Sequence, residues 1–345
     1  MAKERLIWAD SLKGWLMILV IVGHAIQSYY PDSCNEIHLW NIIYSFHMPA
    51  FMAISGWLAY RNTKFAYPQE NTSAYFLKKC KRRAIQLLVP YFTWSFLQYA
   101  QSGNYTLENL SMMILQPDVY LWFLWALFWI CVLFNLSQII SSKLKINQAL
   151  VLLCVCLILL VMMIEMELRY FGFQFIAYYF LFYTIGYCLH KYEDTLLMKL
   201  LSKKCLSCLL FITWAFLAWG WQMHRLPSWL HAIPNIPSTL LQYTYRGFTA
   251  LVAIVVLINI APAIMNSKSV FNTFISSAGV FSLGMYAGHL ILLGYLKDLL
   301  LWCCPSINLT IAIIVTSVFA FTLSYLLILL LSKNKITALA FLGKY

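Results

Sequence analysis

The chain has 345 residues, of which 62% are hydrophobic and 10% charged, whereas an average soluble chain carries roughly 25% charged residues. This composition excludes a soluble domain, because the apolar residues gather in runs that tile nearly the whole chain with windows of the ~20 residues a bilayer core requires. The formal charge of +12 sits in loops between those runs, which marks orientation in a membrane and argues against a nucleic-acid partner.

In chain order we place ten transmembrane spans at residues 12–30, 40–60, 84–101, 119–140, 147–164, 173–190, 206–221, 240–262, 279–302 and 307–331. The start, Lys3 and Arg5 ahead of an apolar stretch from Leu16, has the look of a signal peptide. The stretch continues to Tyr30 and nine more follow, which predicts a retained first span. Leu107, Leu110, Met113 and Ile114 recur at helical spacing and predict a short interfacial helix over 106–116. With the N-terminus in the cytoplasm, only Arg169, Arg225, Arg246 and Lys297 of the 24 Lys and Arg fall on the far side. The expectation is therefore an all-α, polytopic integral membrane protein, a single transmembrane domain over 1–345 with both termini cytoplasmic. On this topology the loop holding Lys78 to Arg83 is cytoplasmic and the segment around His224 to His231 is outside. The ten cysteines lie mostly inside or at the ends of the spans, where Cys acts as a small apolar residue. Cys205 and Cys208 form a CxxC with no second CxxC or His at a zinc-like spacing, so no metal is expected.

The informative residues are ionisable side chains inside apolar spans, since each costs several kcal/mol unless it faces protein, water or a partner. In the first span Asp10 and Lys13 are three apart, and Lys13 and His24 are eleven apart, which returns to the same helical face within ~20°. A rise of ~1.5 Å per residue separates Lys13 from His24 by ~16 Å, so the two cannot act on one atom. The plain alternatives are a snorkelling Lys and a packed, hydrogen-bonded His. In the antiparallel second span His47 lies at a depth similar to His24, and the two imidazoles can converge. Pro49, two residues on, predicts a kink of the kind tolerated where a cavity or neighbouring helix satisfies the freed backbone. The cluster Lys78, Lys79, Lys81, Arg82 and Arg83 ahead of Pro90 reads either as a lipid-headgroup signal or as a phosphate site, for which Arg offers a planar fork. Arg246 beside Tyr245 opens the eighth span near the outer face, Trp122 opens the fourth, and these three are the acceptor-side candidates. His289 lies mid-span in the ninth, where a buried hydrogen bond is the expected role.

Asp10, Lys13, Gly14 and Gly23-His24 in the first span, with Phe46-His47-Met48-Pro49 and Ser55-Gly56 in the second, resemble the membrane-bound acyltransferase family 3. Arg82-Arg83 through Pro90-Tyr91, and Trp122-Phe123-Leu124, extend the similarity. Within the family the chain looks most like the sugar O-acetyltransferases typified by fucose O-acetylases. The specific motifs cover residues 8–125, and the ten-span layout covers almost the whole chain.

The resemblance implies O-acylation, usually O-acetylation, of a hydroxyl on a cell-envelope glycan or lipid-linked saccharide. The donor is cytoplasmic acetyl-CoA, and the location is the bacterial inner (cytoplasmic) membrane among its lipids. The family pattern sets a basic residue and, eleven positions on, a His in the first span, which Lys13 and His24 fit; Lys stands here where Arg is the common choice, and Lys13, Arg82, Arg83 and Asp10 are the donor-side candidates. A neutral His with a pKa near ~6.5 can take a hydroxyl proton, which makes His24 the candidate general base, with His47 able to orient it or donate to the oxyanion. Direct transfer and an acyl-His24 intermediate both remain open. The competing class is a transporter or flippase of an envelope precursor, in which the same His and Lys would be coupling or substrate groups.

Overall fold

The computed structural model describes residues 5–63, 72–103, 105–166, 168, 170–223, 225–230, 237–267 and 269–344. Lys3, Lys64, Arg169, His224, His231 and Lys268 lie outside the described residues. The described chain is helical, with no strand among those residues. The α-helices are α1 Ile7–Tyr29, α2 His38–Tyr44, α3 His47–Thr63, α4 Thr72–Ser102, α5 Leu107–Leu115, α6 Trp122–Leu144, α7 Gln148–Met166 and α8 Phe173–Lys191. They continue with α9 Leu196–Leu201, α10 Lys204–Trp219, α11 Ser238–Ile264, α12 Val270–Val280, α13 Ser282–Cys303, α14 Leu309–Leu331 and α15 Lys335–Leu342.

Among the described residues seven helical segments are long and apolar enough to cross a membrane: Ile7–Tyr29, His38–Arg61, Trp122–Leu144, Gln148–Met166, Tyr170–Lys191, Ser238–Ile264 and Leu309–Leu331. The chain is thus a multi-pass membrane protein. The three remaining expected spans take other forms. Residues 84–101 are the C-terminal part of α4, whose N-terminal half is the basic cluster; Lys78 to Arg83 are helical and not a loop. Residues 206–221 correspond to the 16-residue α10. Residues 279–302 belong to the pair α12 and α13, which bends by 84° at Phe281. The expected short helix over 106–116 is α5, capped by the Thr106 hydroxyl, which accepts from the Asn109 backbone N–H.

The chain divides into two compact units. The first comprises Met1–Phe51 and Glu193–Leu327. Its centre is α1, which packs chiefly on α12 and also on α13, α11 and α2. Glycine makes the α1–α12 approach possible: a Cβ at Gly14 would collide with the Ile275 carbonyl, and one at Gly279 with the Asp10 carbonyl. Across the far end of α1, Lys297 of α13 donates to the Ser28 carbonyl at 2.8 Å, satisfying one of the acceptors a helix leaves open in its last turn. Tyr29 and Thr316 of α14 share a hydrogen bond of 2.9 Å. Another face of α1, with Ile18, Ile21, Val22 and Ile26, borders an apolar pocket of about 670 Å³ that α12 and α14 also line; His24 does not line it.

The second unit comprises Met52–Tyr192 and Ile328–Tyr345. Here α6 packs against α4, α7 and α8, and backbone contact recurs, with a Cβ at Gly56 blocked by the Tyr183 carbonyl and one at Gly186 by that of Ala53. Pro90 lies inside α4 and has no N–H to give the Gln86 carbonyl. The left-handed Gly343 that ends α15 lies against that carbonyl, and the Trp94 indole donates to the Phe341 carbonyl at 3.0 Å. His190 is spent structurally: its Nδ1–H donates to the Trp57 carbonyl at 2.8 Å and its ring stacks on Trp57 at 3.6 Å.

Candidate active site

The first unit places the ionisable stripe of α1 as the helical register predicts. At the start of the helix Asp10 is buried, with one carboxylate oxygen 2.7 Å from the Lys13 ammonium and the other 2.6 Å from Arg5 Nε. The Asp10 carboxylate also sits in the first turn, where the helix dipole favours an anion. Lys13 keeps 21% of its side chain exposed, so its charge is held in place and still reachable.

At the other end of the stripe a group of rings surrounds His24. Tyr44, in the last turn of α2, stacks on Trp40 at 3.9 Å and presents its edge to His24 at 6.4 Å and to His47 at 4.8 Å between ring centroids. Gly23 leaves the room for that ring, since a Cβ there would come within 2.9 Å of it. The Tyr44 hydroxyl donates to Gln27 Oε1 at 3.3 Å. The two imidazoles expected to converge therefore flank one tyrosine.

His47 owes its place to a break in the second span. The helix stops at Tyr44 and restarts at His47, and the His47 Nδ1–H donates to the Ile43 carbonyl at 2.7 Å. Pro49 does not kink a continuous helix, as its position in the sequence suggests. It sits in the first turn of α3, where its missing N–H costs nothing.

The bend at Phe281 brings in a residue to which the sequence assigns no part in the site. His289 of α13 lies with its ring centroid 5.1 Å from that of His24, tilted by 50°, and its Nδ1–H donates to the Tyr286 carbonyl at 2.6 Å. Of the three rings, His47 and His289 are buried and His24 is partly accessible. A neutral, partly accessible imidazole whose neighbours are fixed by backbone carbonyls can take a proton from an incoming hydroxyl.

Tyr245 and Arg246 reach the same end of this unit. Tyr245 packs in one apolar cluster with Ile26, Trp40, Leu217 and Trp221, against which Tyr44 also lies. Its hydroxyl donates to the Leu217 carbonyl at 2.5 Å, so Tyr245 braces α10. The Arg246 guanidinium donates to the Met223 carbonyl at 3.3 Å and lies over the Trp221 ring at 5.4 Å.

In the second unit Arg82 is exposed on α4, while Arg83 is partly buried and donates to Gln86 Oε1 at 3.2 Å. Trp122 stacks on Phe175 at 4.6 Å and on Tyr179 at 4.8 Å, a platform of three aromatic rings at the start of α6.

The family model described as an acyltransferase domain matches residues 6–333. The chain is similar to the nodulation protein NolL of Sinorhizobium fredii, with 27% identity over 271 residues, 73% of this chain and 68% of that protein. It is also similar to the nodulation protein NolL of Mesorhizobium japonicum, with 32% identity over 128 residues, 34% of this chain and 32% of that protein. No solved structure matches the chain.

Proposed function

The chain belongs to this acyltransferase family and is a membrane-bound acyltransferase; on that premise we propose that it transfers an acetyl group from cytoplasmic acetyl-CoA to a hydroxyl of a cell-envelope glycan or its lipid-linked precursor. The protein sits in the inner membrane with ten spans and both termini in the cytoplasm, and donor and acceptor enter from opposite faces. His24 is the general base. As the hydroxyl oxygen bonds to the acetyl carbon and the carbon–sulfur bond breaks, His24 holds the hydroxyl proton and then returns it to the coenzyme thiolate, so that ester and free thiol leave.

The observation that carries this reading is the layout of α1. A held but reachable cation, Lys13, stands near its start, and a partly accessible imidazole among fixed rings stands eleven residues on. Lys13 receives the donor, with Asp10 holding it in place, while Arg82 and Arg83 supply phosphate contacts. His47, tied to the Ile43 carbonyl, orients His24 through Tyr44. Arg246, over Trp221, and the Trp122 platform are the acceptor-side surfaces, since a sugar ring packs on an aromatic face and a guanidinium donates to its hydroxyls.

Transfer of label from acetyl-[14C]CoA into envelope glycan by membranes carrying the protein tests the reading. Label in the glycan that depends on the protein supports it, and label left in acetyl-CoA with correctly inserted protein refutes it.

A further inference from the structure

The reaction as proposed leaves one buried imidazole unused. His289 is fully buried. Because its Nδ1–H is given to the Tyr286 carbonyl, the neutral ring carries its lone pair on Nε2. That nitrogen has no hydrogen-bond partner among the described residues. A buried polar atom left unpaired costs about 1–3 kcal/mol, and native structures carry few of them without a reason. The ring lies against His24, 5.1 Å away between centroids, on the helix that follows the 84° bend at Phe281.

We propose that His289 is a positioning residue for acyl transfer: its Nε2 accepts the ring N–H of His24 that is not turned to the sugar hydroxyl, and so steadies the imidazolium formed during the reaction. The inference rests on the reading of His24 as the base. The hydroxyl proton goes to one nitrogen of His24 and leaves from the same nitrogen to the coenzyme thiolate, while His289 keeps its Nδ1 proton throughout and gains or loses nothing. A carboxylate performs this service for histidine in serine hydrolases, but a carboxylate buried at this depth in a membrane is costly. A neutral imidazole with a fixed tautomer supplies the same acceptor without a charge. The two rings are tilted by 50° to one another, and catalytic hydrogen bonds commonly tighten only when substrate is bound.

Two variants separate the nitrogen from the ring. His289→Asn keeps an amide near Nδ1 and places nothing at Nε2, whereas His289→Gln reaches the Nε2 position with an amide oxygen. In membranes with matched protein levels, His289→Asn is expected to lower kcat by on the order of 10- to 100-fold, the size of loss seen when a partner that orients a functional histidine is removed. KM for acetyl-CoA and for the acceptor stay within about twofold, and His289→Gln recovers most of the rate. Wild-type kcat in His289→Asn overturns the proposal; so does an equal loss in both variants, or loss of both from the membrane, which assigns His289 to packing. His24→Ala in the same assay separates the two claims. If it transfers normally, the base assignment itself fails; if it is inactive while His289→Asn is normal, only the role of His289 fails.

Discussion

Asp10 holds the Lys13 ammonium through a single carboxylate oxygen at 2.7 Å, one turn along the same helix. The other oxygen is occupied by Arg5 at 2.6 Å, so the carboxylate fixes two cations and leaves one positive charge in surplus at the start of α1. Hydrogen bonds to charged groups contribute about 1.5–3 kcal/mol, and 1.4 kcal/mol is a factor of ten in affinity. Lys13→Ala is therefore expected to raise the apparent KM for acetyl-CoA about 10- to 100-fold with a smaller change in kcat. Lys13→Arg should restore much of the loss. Initial rates against acetyl-CoA concentration decide it, and an unchanged KM in Lys13→Ala returns Lys13 to an interfacial, snorkelling role.

The two neighbouring arginines of α4 are expected to behave differently. Arg82 is exposed, and Arg83 is partly buried and donates to Gln86. Arg82→Ala should weaken donor saturation at an unchanged protein level, whereas Arg83→Ala should lower the amount of protein in the membrane as well. Quantified membrane protein together with acetyl-CoA saturation curves checks both. Full donor saturation in a correctly inserted Arg82→Ala, Arg83→Ala double variant would assign the pair to lipid headgroups.

Glycine at the α1–α12 contact is a packing requirement. A Cβ at Gly279 collides with the Asp10 carbonyl, while one at Gly294 of α13 meets nothing. Overpacking costs about 1–3 kcal/mol and more where backbone must move. In detergent, Gly279→Ala should melt at a lower temperature than wild type and lose activity through displacement of Asp10 and Lys13. Gly294→Ala should match wild type. Equal melting of the two would show that α1 and α12 part easily.

Native cysteines report the topology. On ten spans with a cytoplasmic N-terminus, Cys34, between α1 and α2, faces outside and Cys205, at the start of α10, faces the cytoplasm. In single-cysteine proteins an impermeant maleimide should label Cys34 in intact cells and Cys205 only after permeabilisation. Labelling of both from one face would contradict the ten-span arrangement.

Much of the first unit was legible along α1, because a single helix obeys a fixed 100° register. The Asp10, Lys13 and His24 stripe follows from spacing alone, and the Lys13 ion pair is an i, i+3 contact. What spacing cannot show is which distant helix meets that stripe. His289 reaches His24 across 265 residues of chain, through a bend at Phe281 that hydropathy does not mark; the ninth span was expected to begin at residue 279, whereas α12 starts at Val270. The Gly14 and Gly279 contacts are hidden for the same reason, since each glycine is explained only by a backbone from another helix. The basic run Lys78 to Arg83 read as a loop because charge masks helicity in a hydropathy window, though Lys and Arg are good helix formers. Pro49 suggested a kink, while the structure puts the break at Ser45 and Phe46, where the His47 side chain supplies a hydrogen bond.

The most direct test of His24 as the base is the rate of acetyl transfer by His24→Ala, measured against acetyl-CoA concentration in membranes with matched protein levels and accompanied by a donor-binding measurement. Loss of a general base costs ~10²- to 10⁴-fold in rate, so transfer should fall by that much while donor binding and insertion are kept. Near-normal turnover in His24→Ala would contradict the assignment and leave His24 a packed histidine within the membrane.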